Sequence, residues 1–208
     1  MLRVIDYFYS TISPYAYLGH DTLHEIARQH QCTIRYRPFS MPGVWAESGS
    51  VPLGQRTSVR QRYRFIELQR VAWQRGVEIN LKPQHFPTNP ERADLCCAAL
   101  VIDKRNVGPF ARKAGEAVWS RELDIADETV LAQLLNECGE NADEVLAKSR
   151  DEAAIAVRAE NTADAISLNA IGAPSYAYKG EIFWGQDRLE MLEAMIVSNR
   201  APFSAPTL

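Results

Sequence analysis

Ser13-Pro14 is the first pair in the chain whose residue types and placing can do chemistry. It follows the β-rich run Arg3–Tyr9, and serine before proline suits the N-cap and first turn of a helix. The Ser13 hydroxyl therefore stands where a strand gives way to a positive helix end. It can cap that helix, or it can donate a hydrogen bond to an anion held there. Far along the chain, Ala173-Pro174 precedes a second β-rich run, and Gln186-Asp187-Arg188 precedes the final helical stretch. The free N–H groups of such a helix start suit a carboxylate, and Asp187 suits an ammonium. Asp187 could equally be a plain N-cap, and Arg188 half of a surface ion pair. Residues 56–76 carry Arg56, Arg60, Arg62, Arg64, Arg70 and Arg75 against Glu67 alone. Arg56, Arg60 and Arg64 share one helical face and could hold a carboxylate; the competing reading is a solvated face that pairs with the acidic stretch Glu122–Asp164. Tyr15, Trp45 and Trp184 could wall a flat ring or simply fill the core.

Other chemistries find no support. The four cysteines, Cys32, Cys96, Cys97 and Cys138, contain no C-x-x-C pair, and they read as reduced thiols of a cytoplasmic protein, most of them small core residues. His20, His24, His30 and His85 form no H-E-x-x-H or comparable ligand set, so no metal is expected. Glycine-rich phosphate loops are missing, so nucleotide binding is not expected either. The chain has 208 residues, a formal charge of −3 and a pI near 5.9, which argues against general attraction to nucleic acid or anionic lipid. Its start, Met1–Asp6, shows no secretory leader, and no apolar run approaches the ~18–20 residues that span a bilayer.

The elements that must position these residues are legible at both ends. Arg3–Tyr9 reads as a buried strand. Pro14 to His30 reads as a helix with Tyr17, Leu18, Leu23, Ile26 and Ala27 inward and Asp21 and His24 on the wet face. Thr33–Arg37 alternates as a strand stopped by Pro38, which completes a right-handed β-α-β unit. The chain ends with a helix over Asp151–Asn169, with Ala153, Ala154, Val157, Ala165, Ile166 and Leu168 as candidate buried positions. A hairpin of Ser175–Lys179 with Glu181–Trp184 and a helix Leu189–Ser198 follow. Between them the punctuation is helical: Thr57–Arg75 closed by Gly76, with Val59, Tyr63 and Ile66 as its buried face; Asn89-Pro90 to about Val107; Pro109–Arg121; Glu128–Cys138; and Asn141 to Lys148. The fold class is therefore α/β, a thioredoxin-like domain (β-α-β … β-β-α) with a large all-helical insertion. Residues 1–40 and 159–208 form the first unit and 41–158 the second, and a cleft between them is the default ligand site.

Three segments, Tyr7–Gly19 (YFYSTISPYAYLG), Ala117–Asp127 (AVWSRELDIAD) and Gly172–Leu189 (GAPSYAYKGEIFWGQDRL), resemble in order the 2-hydroxychromene-2-carboxylate isomerase family. That family is related to kappa-class glutathione transferases and, more distantly, to disulfide-forming oxidases. The resemblance implies a glutathione-dependent isomerase of aromatic degradation. Its substrate would be a small aromatic carboxylate, a cyclic hemiketal converted to trans-o-hydroxybenzylidenepyruvate. Ser13 matches the family's active-site serine, where redox relatives keep a cysteine, and would stabilise the thiolate of bound glutathione. Ala173-Pro174 matches a cis-proline dipeptide whose backbone meets the cysteinyl segment of glutathione, and Gln186, Asp187 and Arg188 would meet its γ-glutamyl end. The family's substrate contacts just before the arginine-rich helix align only loosely, at Ser50–Arg56, and nominate Gln55 and Arg56, with Tyr15 beside them. A homodimer is implied as well. The alternatives are a kappa-like transferase or peroxidase acting on electrophiles, a dithiol oxidoreductase disfavoured by the missing C-x-x-C, and a non-catalytic glutathione-binding module.

Overall fold

β-branched and aromatic residues make Arg3–Tyr9 a strand, β1, and in the computed structural model, which describes residues 2–206, it occupies an inner position of a four-stranded sheet ordered β2-β1-β3-β4. Strand β2 (Cys32–Pro38) runs parallel to β1 with Tyr7 opposite Tyr36. Strand β3 (Ser175–Tyr178) runs antiparallel to β1 with Tyr7 opposite Tyr176, and β4 (Glu181–Trp184) closes the edge. This register stacks the Tyr7 ring on those of Tyr9 and Tyr176, at 4.6 and 5.4 Å, on one buried face. Lys179 and Gly180 both take positive φ, 52° and 85°, the conformation that a two-residue hairpin turn demands.

Helix α1 (Pro14–Gln29) carries the chain from β1 to β2 and buries the expected Tyr17, Leu18, Leu23, Ile26 and Ala27. His24 departs from expectation. It is half-buried, with its ring nitrogen 2.5 Å from the Tyr36 hydroxyl, because the helix that begins at Gly108 crosses directly above the pair.

The insertion is helical, as the punctuation predicts: α2 (Met41–Ser48), α3 (Ser58–Arg75), α4 (Glu91–Ile102), α5 (Gly108–Trp119), α6 (Glu128–Glu137) and α7 (Ala142–Lys148) precede α8 (Glu152–Ser167), and α9 (Leu189–Ser198) ends the fold. Helix α2 is unexpected. Pro42 and Gly43 look like breakers in sequence, yet Ser40 caps this helix through the Gly43 N–H and the proline falls in its first turn, where no N–H is needed. Helix α4 stops at Ile102 rather than near Val107, because Lys104 turns the chain through φ 56°. In α8 the inward phase is set by Ala154, Asn161 and Ala165, which leaves Ala153 exposed.

Helix α3 requires the largest correction. Val59, Tyr63 and Ile66 are exposed, and the buried positions are Arg64, Leu68, Val71 and Ala72. The phase set by the last three reaches back one turn to an arginine, and Val59 and Tyr63 face a hollow instead of the core. Helix α4 packs among β2, α7 and α8, so Cys96 and Cys97 are both fully buried. Among the described residues no helix is long and apolar enough to cross a membrane.

Candidate active site

Ser13 is the N-cap of α1, 3% exposed. Its Oγ accepts from the Ala16 N–H at 3.3 Å and donates to the carbonyl of Ala173 at 3.1 Å. The Ala173–Pro174 bond is cis, and the Pro174 carbonyl accepts from the Gly185 N–H at 2.9 Å, which ties the proline turn to the far end of the hairpin. The Tyr15 N–H, in the first turn of α1, and the Ala173 N–H find no acceptor among the described residues. Two free backbone donors and a hydroxyl at the positive end of a sixteen-residue helix make a place for a soft anion.

Two buried groups that the sequence reading overlooked hold this turn. Asp94, 0% exposed in the first turn of α4, accepts from the Ser10 hydroxyl at 2.9 Å and from the Thr11 N–H and hydroxyl, each at 2.8 Å. Burial pushes its carboxyl up to about 6, against the pull of these donors and of Arg158, whose guanidinium lies 3.8 Å away. Trp119, also fully buried, donates its indole N–H to the Ile12 carbonyl at 3.1 Å. Three consecutive residues before Ser13 are thus fixed from the insertion. A lone aspartate in the apolar run Ala93–Leu100 was the one signal in the sequence that could have found Asp94.

Two hollows of about 540 and 580 Å³ adjoin this turn and share Tyr15, Met41, Trp45, Arg56, Arg64 and Ala173. The first is walled by Trp45 and Trp184 and floored by Gly185 to Arg188; the second contains Ser13 and Pro14 and is lined by Leu53, Phe65, Leu81 and Phe86. A small-molecule site commonly has about this size. Ala173, Tyr15 and Arg56 therefore sit at the junction, Ser13 lies beside Ala173 in the second hollow, and Asp187 and Arg188 lie in the first. Gln55 is exposed in a short 3-10 turn and lines neither hollow.

The last three candidates play unequal parts. Gln186 is buried, its amide oxygen and its backbone carbonyl both accepting from Arg75, at 2.9 and 3.1 Å, so both of its acceptors are already engaged. Asp187 caps no helix; its carboxylate pairs with Arg188 at 2.9 Å and both are exposed. Of the α3 arginines, Arg70 pairs with Glu67 and Arg75 with Glu190, and among the described residues none pairs with the acidic stretch Glu122–Asp164. That stretch is met instead by cations such as Arg92, Arg121 and Lys148.

The DSBA-like thioredoxin domain matches residues 4–197. The chain belongs to the DSBA-like thioredoxin domain family. Within it, the chain is 28% identical to 2-hydroxychromene-2-carboxylate isomerase of Sphingobium xenophagum over 199 residues, covering 95% of this chain and 100% of that one. It is 27% identical to glutathione S-transferase kappa 1 of Caenorhabditis elegans over 204 residues, 92% and 90% of the two chains. In fold it matches a solved 2-hydroxychromene-2-carboxylate isomerase with a TM-score of 0.79 at 23% identity, covering 94% of this chain and 95% of that chain. A cytosolic disulfide reductase DsbM from Pseudomonas aeruginosa gives 0.68 at 18%, covering 94% and 98%.

For a DSBA-like thioredoxin domain, the thiols of this chain are in the wrong places for redox work. None lies at the Ser13 turn. Burial pushes Cys96 up to about 12 and raises Cys97, Cys32 and Cys138, so none is a ready thiolate. His20, buried and stacked on His24 with ring centroids 4.4 Å apart, is held down at about 3, chiefly by desolvation, and stays neutral. Among the described residues no group of His, Cys, Asp or Glu could hold a metal ion.

Proposed function

We propose that this protein is a glutathione-dependent isomerase that acts on 2-hydroxychromene-2-carboxylate or a similar aromatic-degradation intermediate and forms trans-o-hydroxybenzylidenepyruvate. The observation that carries the reading is the Ser13 hydroxyl, donating to the Ala173 carbonyl of the Ala173-Pro174 turn beside the junction of two hollows, with no cysteine lining either. The two free N–H groups and that hydroxyl fit a thiolate, and the Gln186–Arg188 turn, with the Asp187 carboxylate exposed, fits the amino-acid end of a γ-glutamyl peptide. Glutathione, when bound, supplies a thiolate that adds reversibly to an unsaturated carbon of the substrate. Ser13 turns its proton from the Ala173 carbonyl to the sulfur and keeps it ionised. Ala173 contributes its N–H, so its side chain carries no role. Asp94 and Trp119 hold the turn in place, and Tyr15 and Arg56 border the substrate in the second hollow. Residues 1–40 and 159–208 act as the glutathione-binding domain, and residues 41–158 supply most of the substrate walls.

Purified protein should isomerise the hydroxychromene carboxylate only when glutathione is added, with glutathione recovered unchanged. Turnover without glutathione would refute the assignment. The kappa-class relative at 27% identity favours a second reading, a transferase or peroxidase built on the same thiolate. Stable conjugates or oxidised glutathione as the main product would select it. We further propose a cytoplasmic homodimer, in keeping with the four free thiols and with Ile66 and the 87% exposed Trp73, which share a face of α3. Light scattering on the eluted protein tests the dimer.

A further inference from the structure

Arg64 is the α3 arginine that lies buried without a carboxylate partner among the described residues. It is 9% exposed and its guanidinium carbon lies 5.6 Å from the ring centroids of both Phe86 and Trp119. It makes no ion pair and no side-chain hydrogen bond among the described residues, although Arg70 and Arg75 on the same helix find carboxylates. It borders both hollows, and Phe86 continues from it into the second, beside Ser13. Burial presses hardest against its charge and the nearby Arg56 adds to that, while the Tyr15 phenol works the other way. A guanidinium taken out of water without a carboxylate is costly, and a flat cation resting on one side of two touching rings, whose centroids are 4.8 Å apart, keeps its in-plane N–H fork free. This fork is where a second flat anion can dock bidentately.

We infer that Arg64 is the carboxylate anchor of the second hollow, and that it selects flat aryl or vinyl carboxylates over their neutral analogues. The inference deepens the proposed function by singling out, among Arg56, Arg60 and Arg64, which the sequence offered together as carboxylate holders, the one that recognises the acid group. A carboxylate can come from the substrate or from glutathione itself, which carries two. The position of Phe86 and of the apolar walls Leu53, Phe65 and Leu81 favours the aromatic acid, because a flat ring attached to the carboxylate then lies against them.

The test is calorimetric and needs no turnover. trans-Cinnamate, trans-cinnamamide and glutathione are titrated separately into the wild type, Arg64→Leu and Arg64→Gln, with thermal melts to verify folding. Cinnamate should bind the wild type at least about tenfold more tightly than the amide, and both variants should lose that preference while keeping the amide and glutathione affinities within about twofold. Arg64→Lys should restore part of the preference, because it restores the charge without the fork. Equal binding of acid and amide by the wild type, or a preference that survives in Arg64→Leu, overturns the anchor. A fall in glutathione affinity with cinnamate binding intact also overturns it and assigns Arg64 to the peptide's own carboxylate. Failure of the wild type to bind glutathione would sink the proposed function while leaving the cinnamate comparison decisive for Arg64.

Discussion

The Ser13 hydroxyl donates to the Ala173 carbonyl at 3.1 Å, across 160 residues of chain. The same oxygen caps α1 through the Ala16 N–H. One side chain therefore joins the first β-α turn to the cis-proline turn and, by a rotation of its hydroxyl, can serve a sulfur placed between them. Ser13→Ala should cost about 1 kcal/mol of stability as a lost cap. It should lower the glutathione-dependent rate by about a hundredfold, the scale of removing one donor from a developing or resident anion. Denaturant midpoints and initial rates separate the two effects. A variant as active as the wild type would contradict the role given to Ser13.

Asp94 makes a prediction whose sign is fixed. Its carboxyl ionises near 6 in the folded protein against 3.8 ordinarily, so the folded state holds the proton more tightly. The stability from that proton is fully present below about 3.8 and lost as pH rises through about 6, about 3 kcal/mol in all. Asp94→Asn keeps an acceptor for Thr11 and removes the buried charge. The melting temperature of the variant minus that of the wild type should therefore be highest at pH 7 and should shrink towards pH 4. His20, held at about 3, loses stability as pH falls from 6.5, but it does so in both proteins and cancels in the difference. A difference that does not change with pH would show that Asp94 carries no such proton.

Gly19 permits the closest approach of α1 to the Gln186 turn. A Cβ there would lie 2.6 Å from Gln186 Cβ and 3.2 Å from the Tyr176 hydroxyl. Gly19→Ala must displace the turn, at a cost of about 1–3 kcal/mol for overpacking. Because that turn is read as the γ-glutamyl subsite, KM for glutathione should rise about tenfold while kcat at saturating glutathione changes little. An unchanged KM would detach the turn from glutathione.

The cysteines should be bystanders. With every thiol raised by burial, thiol reagents at pH 8 should label Cys32 and Cys138 slowly, and Cys96 and Cys97 only on unfolding. The double variant Cys32→Ser, Cys138→Ser should retain glutathione-dependent activity, and the wild type should not reduce insulin disulfides without glutathione. Loss of activity in the double variant would mean that the chain uses a thiol of its own.

Much of this was written in the sequence, for identifiable reasons. Proline, glycine and capping residues mark helix ends locally, so α1, α3, α6, α7 and the hairpin were legible, and the Ser13 and Ala173-Pro174 segments were legible as a pair through resemblance. Long-range facts were not. The contact of Asp94 with Ser10 and Thr11 joins positions 83 and 84 residues apart, and nothing local in α4 announces it. The spacing of Val59, Tyr63 and Ile66 suggests a different inward face, so in sequence Arg64 shares with Arg56 and Arg60 a face that could be solvated or could hold a carboxylate, and nothing local marks it as buried. The phase of α3 is set farther along by Leu68, Val71 and Ala72. Helix α2 was missed because Pro42 and Gly43 break most helices, but a first turn tolerates both.

The central claim is that Ser13 keeps a borrowed thiol ionised. A pH titration of the thiolate absorbance of bound glutathione, in the wild type and in Ser13→Ala, tests it most directly. The account predicts a bound thiol that ionises about one unit or more below the ordinary value of about 8.5 in the wild type, and close to that value in the variant. The same ionisation curve in both proteins would contradict it.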